Sequence, residues 1–224
     1  MSRTFFIGDV HGCAEELEEL YEKFSPKAGD EVYQTGDLIN KGPHSVDAVK
    51  FVLKHKIKCV MGNHEAKLLH ILKKPHSERS HKELRLLESV QEPEWVAHEA
   101  AKFPLWLDTG KELLLHAGLE PGGKPLENMD EKNILSIRLW NGLPWYEQTT
   151  MSNRLVIYGH WAMNGLVDFP SAKGIDTGCV YGKLLTGYCP EENKFYQIIA
   201  KKEYSEGKGE MLGIFNVQRG GEAL

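Results

Sequence analysis

Five short stretches of the chain pair glycine with residues able to bind a cation or move a proton. They are GDVHG at 8–12, GDLINKG at 36–42, GNHE at 62–65, HAG at 116–118 and YGH at 158–160. Together they supply Asp9, Asp37 and Asn63 as oxygen donors and His11, His116 and His160 as imidazoles. Such a mixed nitrogen and oxygen set suits Mn²⁺, Co²⁺, Fe or Zn²⁺ and is unlike a thiolate site. If Asp37 bridges, the set can hold two ions, and the glycines admit close backbone approach. Any one stretch alone is more often a turn or a packed or surface histidine than a ligand; the ordered combination carries the inference. Other histidines, such as His55, His70, His76, His81 and His98, fall on helical or polar stretches and read as solvated residues.

These stretches need elements to aim them. RTFFIG (3–8) reads as a buried strand, and AEELEELYEKF (14–24) has Leu17, Leu20, Tyr21 and Phe24 at helical spacing. DEVYQTG (30–36), PHSVDAVKFVLKH (43–55, with Pro43 near the first turn) and KCVMG (58–62) repeat the alternation. The resulting β-α-β-α-β pattern predicts a parallel sheet with right-handed crossovers. The first three motifs then fall at the carboxyl ends of its strands, on the edge where open α/β sheets place their sites. Residues 64–103 read as a polar, helical insertion punctuated by Pro75 and Pro93, a candidate lid. From Pro104 onward short strands dominate: a hairpin of LWLDTG and KELLLHAG, then NRLVIYGH, then GKLLTGY and KFYQIIA around the turn CPEENK. The glycine-rich end, 205–224, reads as a loose tail.

Composition narrows the class. A chain of 224 residues with 41% hydrophobic residues fits one α/β domain, 1–224, with a packed core. No apolar run approaches the roughly 18 residues that span a bilayer, and the start of the chain lacks a signal core, so the expectation is a cytoplasmic protein without a membrane. The four cysteines, Cys13, Cys59, Cys179 and Cys189, have no CxxC spacing, so reduced thiols are expected. A net charge of −5 argues against general nucleic-acid binding and favours a local pocket for a small phosphorylated molecule. Oligomeric state is not legible.

Taken in order, the five motifs resemble the signature of the calcineurin-like metallophosphoesterases, in the branch that holds the phosphoprotein phosphatases and the symmetrical diadenosine tetraphosphatases. HAG instead of HGG, YGHWA at 158–162 and IDTGCVYGKLLT at 175–186 are more similar to the tetraphosphatases. The resemblance implies a β-sandwich flanked by helices and two divalent ions, Mn²⁺ first among them. Asp9 and His11 would hold one ion, Asp37 would bridge, and Asn63, His116 and His160 would complete the other. His64 matches the general acid, which would protonate the oxygen departing as hydroxide attacks phosphorus.

The chain departs from the family's GDxxDRG at two positions. Asn40 stands where an Asp orients the catalytic histidine, and Lys41 where an Arg clamps phosphate. Asn40 is able to hydrogen-bond an imidazole N–H but brings no charge to stabilise an imidazolium. A phosphate leaving group, with a second pKa of about 6, needs that acid far less than a serine alkoxide does. The substitution therefore favours a phosphoanhydride. Lys41 keeps the attraction for phosphate without the bidentate fork. Arg138, isolated after the apolar run ILSI, is the candidate second clamp, with Lys183 an alternative. Trp140, Trp145 and Trp161 are candidates for base stacking, though packing is the commoner use of tryptophan. The mixed-sign charges of 64–103 read as a solvated face.

The expected function is symmetrical hydrolysis of dinucleoside tetraphosphates such as diadenosine tetraphosphate to two nucleoside diphosphates. The alternatives are a serine/threonine protein phosphatase acting on phosphoproteins, an RNA nucleotide-cap hydrolase, and a phosphate-binding relic without turnover.

Overall fold

The structure is a computed structural model that describes residues 2–149 and 154–207. Its first half runs β1 (Thr4–Ile7), α1 (Ala14–Phe24), β2 (Glu31–Gln34), α2 (Ser45–Lys54), β3 (Lys58–Cys59) and α3 (Asn63–Leu72), then α4 (His81–Val90) and α5 (Pro93–Ala100). There follow β4 (Trp106–Asp108), β5 (Glu112–Leu115), α6 (Glu131–Ser136), β6 (Leu139–Trp140), β7 (Leu143–Pro144) and α7 (Trp145–Gln148). The chain continues through β8 (Leu155–Tyr158), β9 (Val167–Phe169), β10 (Ala172–Gly174), β11 (Leu184–Cys189) and β12 (Lys194–Ile199).

Two five-stranded sheets form, ordered β12-β11-β1-β2-β3 and β4-β5-β8-β10-β9. In the first, β1, β2 and β3 are parallel, as the alternating pattern predicts, and β11 joins the other side of β1 antiparallel. In the second, β5, β8 and β10 are parallel, with antiparallel β4 and β9 at the edges.

The period of two along each strand explains how the sheets stack. Phe5 and Ile7 face a core shared with the helices, whereas Phe6 faces the opposite way. Leu113 and Leu115 likewise face one side of the second sheet and Leu114 the other. Phe6, Tyr33 and Tyr188 of the first sheet meet Leu114 and Ile157 of the second in a middle layer. The outer face of the first sheet is covered by Leu17, Leu20 and Phe24 of α1, Val46, Val49 and Val52 of α2, and residues of α3–α5. Ile134 of α6 and Trp145 of α7 cover the outer face of the second. Full burial of side chains such as Phe5, Phe6 and Ile7 is worth about 1.5–3 kcal/mol each. The result is a β-sandwich between helical layers.

Several details differ from the sequence expectations. Pro43 lies before His44, the N-cap of α2, outside the first turn; its fixed φ shapes the approach and leaves the helical N–H groups intact. The 64–103 segment is helical, but Leu68, Ile71, Leu86, Val90 and Val96 place its inner faces in the main core. β3 has two residues, and helices α6 and α7 interrupt the run of strands after Pro104. Most of the expected tail, 208–224, lies outside the described residues.

Candidate metal centre

The loops that follow β1, β2, β3, β5 and β8 converge on one cleft between the two sheets. Backbone bonds lash the first two together: His11 N–H donates to the Asp37 carbonyl (2.8 Å), Gly12 N–H to that of Leu38 (2.8 Å) and Gly42 N–H to that of His11 (2.8 Å). The third loop enters α3 immediately, and Asn63 and His64 open that helix. A Cβ at Gly62 would stand 2.1 Å from the Asp37 nitrogen, and one at Gly159 would stand 1.9 Å from Asp9 Oδ1, so only glycine lets these loops close. His11, Asp37, Asn40, Lys41 and His160 all hold positive φ, between 49° and 70°. Non-glycine residues there cost about 1–3 kcal/mol each, strain that the surrounding loops must offset.

Glu65 offsets much of it. Its carboxylate, fully buried, accepts four backbone N–H bonds: from Asp37 (2.9 Å) and Gly62 (3.1 Å) at Oε2, and from Leu38 (2.9 Å) and Ile39 (3.2 Å) at Oε1. Burial, reinforced by the Asp37 carboxylate, works to raise its pKa, and the four donors pull it back toward the ionised form that they require.

Two groups of donor atoms gather around Asp37, each with its atoms within 4.8 Å of one another: His11, Asp37 and His64, and Asp37, His116 and His160. Asp37 Oδ2 is 3.6 Å from His11 Nε2, and Oδ1 is 3.5 Å from His116 Nε2. Asn63 Oδ1 is 2.9 Å from both His116 Nε2 and His160 Nδ1. Asp9 stands behind these groups, accepting from Thr35 Oγ1 (2.8 Å) and the His160 N–H (2.9 Å), which leaves each oxygen further lone pairs.

The tautomers show whether a cation fits. His116 Nδ1 lies 2.8 Å from the Thr35 carbonyl, which can only accept, so the ring proton is there. In the neutral ring Nε2 then aims a lone pair at the oxygens of Asn63 and Asp37. His11 repeats the arrangement: Nδ1 donates to the Ile39 carbonyl (3.1 Å), and Nε2 faces Asp37 and the Lys41 ammonium at 2.9 Å. Acceptors facing one another are stable around a cation. Ligand atoms at about 2.0–2.2 Å from an ion sit roughly 3–3.5 Å apart, close to the separations found here. The donor set and its outer hydrogen bonds fit divalent ions.

The electrostatics agree. Burial, then the carboxylates of Asp176 and Asp37, raise Asp9 well above the usual carboxylate range. Burial also works to raise Asp37, but the positive charge that His116, His64 and His11 carry when protonated, with that of Lys41, outweighs it and holds Asp37 low. Burial lowers His11, brings His64 to about 4 and His160 to about 3, so these rings are neutral near pH 7.

The cleft encloses about 420 Å³, and Lys41, His64 and Arg138 line it beside the donor groups. Arg138 is thus at the cleft, whereas Lys183 is exposed and absent from the lining. None of the three tryptophan candidates lines it: Trp145 is buried against Gly118, and Trp140 and Trp161 pack on the second core. Asp176, Tyr181, Met163, Ser205 and Glu206 line the cleft without having been singled out from the sequence. For Asp176 and Tyr181 the only advance signal was their place in IDTGCVYGKLLT. Asn40 Nδ2 lies 2.7 Å from His64 Nδ1, with Asn40 Oδ1 taking the Lys41 N–H (2.8 Å). The amide meets the ring as a donor, the reverse of the sequence expectation, because the Lys41 N–H has claimed its oxygen.

Comparison with known proteins matches residues 2–196 to the calcineurin-like phosphoesterase family model. A protein of Buchnera aphidicola named bis(5'-nucleosyl)-tetraphosphatase, symmetrical, is 36% identical over 273 aligned positions, covering 86% of this chain and 96% of its own. One of the same name from Pseudomonas entomophila is 27% identical, covering 89% and 95%. That alignment runs over 274 positions against a chain of 224 residues, so the relative carries insertions that this chain lacks. A solved structure provisionally assigned as a diadenosine tetraphosphatase superposes with a TM-score of 0.78 at 28% identity, covering 89% of this chain and 94% of its own. A Saccharomyces cerevisiae protein serine/threonine phosphatase, at 16% identity and a TM-score of 0.65 over 90% and 81% of the two chains, shares the fold.

Proposed function

Since the chain belongs to the calcineurin-like phosphoesterase family, we propose that it is a dinuclear-metal hydrolase that splits dinucleoside tetraphosphates at the central anhydride into two nucleoside diphosphates. The observation that carries the reading is Asp37, one carboxylate shared by two groups of donors, set in a cleft that also presents Lys41 and Arg138. The relatives' names supply the substrate class.

In this reading Asp9, His11 and Asp37 would hold one ion, and Asp37, Asn63, His116 and His160 would hold the other. Bound there, divalent ions lower the pKa of water and absorb charge on phosphoryl oxygens. The chain's own residues do the rest. Lys41 and Arg138 supply positive charge for the polyphosphate, which orients it along the cleft. His64, its Nε2 3.8 Å from Asp37 Oδ2, stands beside the reacting phosphate to hydrogen-bond the departing oxygen. The departing group is a nucleoside diphosphate, whose terminal phosphate leaves readily without a full proton. Mn²⁺ is the first ion to test, because mixed nitrogen and oxygen ligands accept it readily. Four cysteines, all buried and unpaired, suit the reducing cytoplasm.

Equilibrium titration of chelated protein with Mn²⁺ tests the dinuclear part. Two equivalents are expected for the wild type and neither at full affinity for Asp37→Asn; a single equivalent untouched by that substitution would refute a shared ligand.

A further inference from the structure

The family resemblance implies an acid role for His64, yet its surroundings assign it a narrower one. Among the described residues, the one hydrogen-bonding partner of its ring is the Asn40 amide, with Nδ2 2.7 Å from Nδ1. Which end of that amide faces the ring is settled by chemistry. The other end lies 2.8 Å from the backbone N–H of Lys41, which can donate and never accept, so that atom is the oxygen. Ser89 Oγ on α4 lies 3.0 Å from the same oxygen and 2.8 Å from the Leu86 carbonyl, dividing one proton between two acceptors. Turning the amide over would set its NH₂ against the Lys41 N–H, two partly buried donors facing each other. The backbone makes the arrangement possible: Asn40 and Lys41 have φ of 70° and 69°, consecutive left-handed residues that fold the Lys41 N–H back onto the Asn40 side chain.

An amide NH₂ offers no lone pair for a second N–H. His64 Nδ1 must therefore present its own lone pair, and the ring proton resides on Nε2, the nitrogen on the side of Asp37. A carboxylate at position 40 would do the opposite: it would accept an Nδ1–H and support an imidazolium with a second proton to give. We infer that Asn40 is a positioning residue that fixes His64 as a neutral Nε2–H hydrogen-bond donor and thereby selects substrates whose leaving oxygen needs no protonation. The inference rests on the phosphohydrolase reading above and adds to it a residue that sets the class of leaving group. In the step itself a water oxygen, having given one proton to solvent, bonds to phosphorus as the bond from phosphorus to the leaving oxygen breaks, and the electron pair of the broken bond stays on the leaving oxygen. His64 hydrogen-bonds the resulting oxyanion without transferring its proton. A phosphate accommodates the charge, whereas an alkoxide, as basic as hydroxide, does not.

Two measurements test this. The first is ¹⁵N NMR of histidine-labelled, chelated protein at a fixed pH of 8, with His64 assigned through His64→Gln. Wild type should show an unprotonated Nδ1 and a protonated Nε2, and Asn40→Asp should show a proton on Nδ1. The second is the dependence of kcat/KM on leaving-group basicity for a series of aryl phosphates with the Mn²⁺-loaded enzyme. General acid catalysis contributes about 10²–10⁴-fold when complete. Asn40→Asp should therefore raise activity on the most basic leaving group about tenfold or more relative to the least basic, flattening the dependence. A wild-type proton on Nδ1, or an unchanged dependence in Asn40→Asp, overturns the inference; the first of these needs no variant at position 40 to fold. Wild type with the Nε2–H ring that cleaves no aryl phosphate supports the tautomer but overturns the selection of leaving group, and points to failure of the hydrolase reading itself.

Discussion

Replacing Glu65 by glutamine tests how the cleft is held in shape. The carboxylate receives four backbone N–H bonds, two at each oxygen, from residues 37, 38, 39 and 62. An amide of the same shape can accept at one end only. Its NH₂ must then face either the Asp37 and Gly62 pair or the Leu38 and Ile39 pair, orphaning two buried donors. Each orphan costs about 1–3 kcal/mol, so Glu65→Gln should lose roughly 2–6 kcal/mol. That is a large share of the 5–15 kcal/mol that holds a typical domain together. Urea unfolding of chelated protein would read the loss directly as a lower midpoint with an unchanged slope. The surviving folded protein should also bind Mn²⁺ more weakly, because both possible orphan pairs lie on the loops that aim Asp37. A variant within about 0.5 kcal/mol of wild type would show that the four bonds do not organise those loops, and the reasoning would fall.

Acid should weaken the chelated protein. His64 and His160 are held to about 4 and 3, chiefly by burial, whereas an unfolded histidine titrates near 6.5. Between those limits the unfolded chain binds protons that the folded one refuses, so stability is complete above about pH 6.5 and is lost as pH falls. From pH 7 to 5 the two rings together should cost roughly 2–4 kcal/mol, read by urea midpoints; a flat response would contradict their neutrality. Arg138→Ala should leave two Mn²⁺ equivalents in place while lowering kcat/KM for a dinucleoside tetraphosphate about 10- to 150-fold, the range for one charge-assisted hydrogen bond. Unchanged kinetics would remove Arg138 from the substrate's path.

Local pattern carried a good deal of this molecule. Helix α1 spans the residues that Leu17, Leu20 and Phe24 mark out, and each of the first three strands leads within one to three residues into a glycine followed by a carboxylate or an amide. Those punctuation points are visible because strand ends and their polar residues are adjacent in the chain. What escaped depends on distance. Strand β11 pairs with β1 from the far end of the sequence, and that pairing brings the loop of Asp176 and Tyr181 to the cleft. Glu65 could be read as one more letter of GNHE, but its four bonds exist only once the second loop folds over α3. The Asn40 amide points as it does because of the backbone of Lys41, a conformation that side-chain identity does not announce. Tryptophans placed by sequence near the motifs went instead to packing, where Trp145 fills the space left by Gly118.

The most direct test of the central proposal is chromatography of the products formed when Mn²⁺-loaded protein is incubated with diadenosine tetraphosphate. ADP as the sole nucleotide product, lost in Asp37→Asn, is the predicted result. AMP with ATP would place the cut at an outer anhydride and contradict the symmetrical reading. No turnover by protein that binds two equivalents of Mn²⁺ and cleaves an aryl phosphate would contradict the nucleotide assignment.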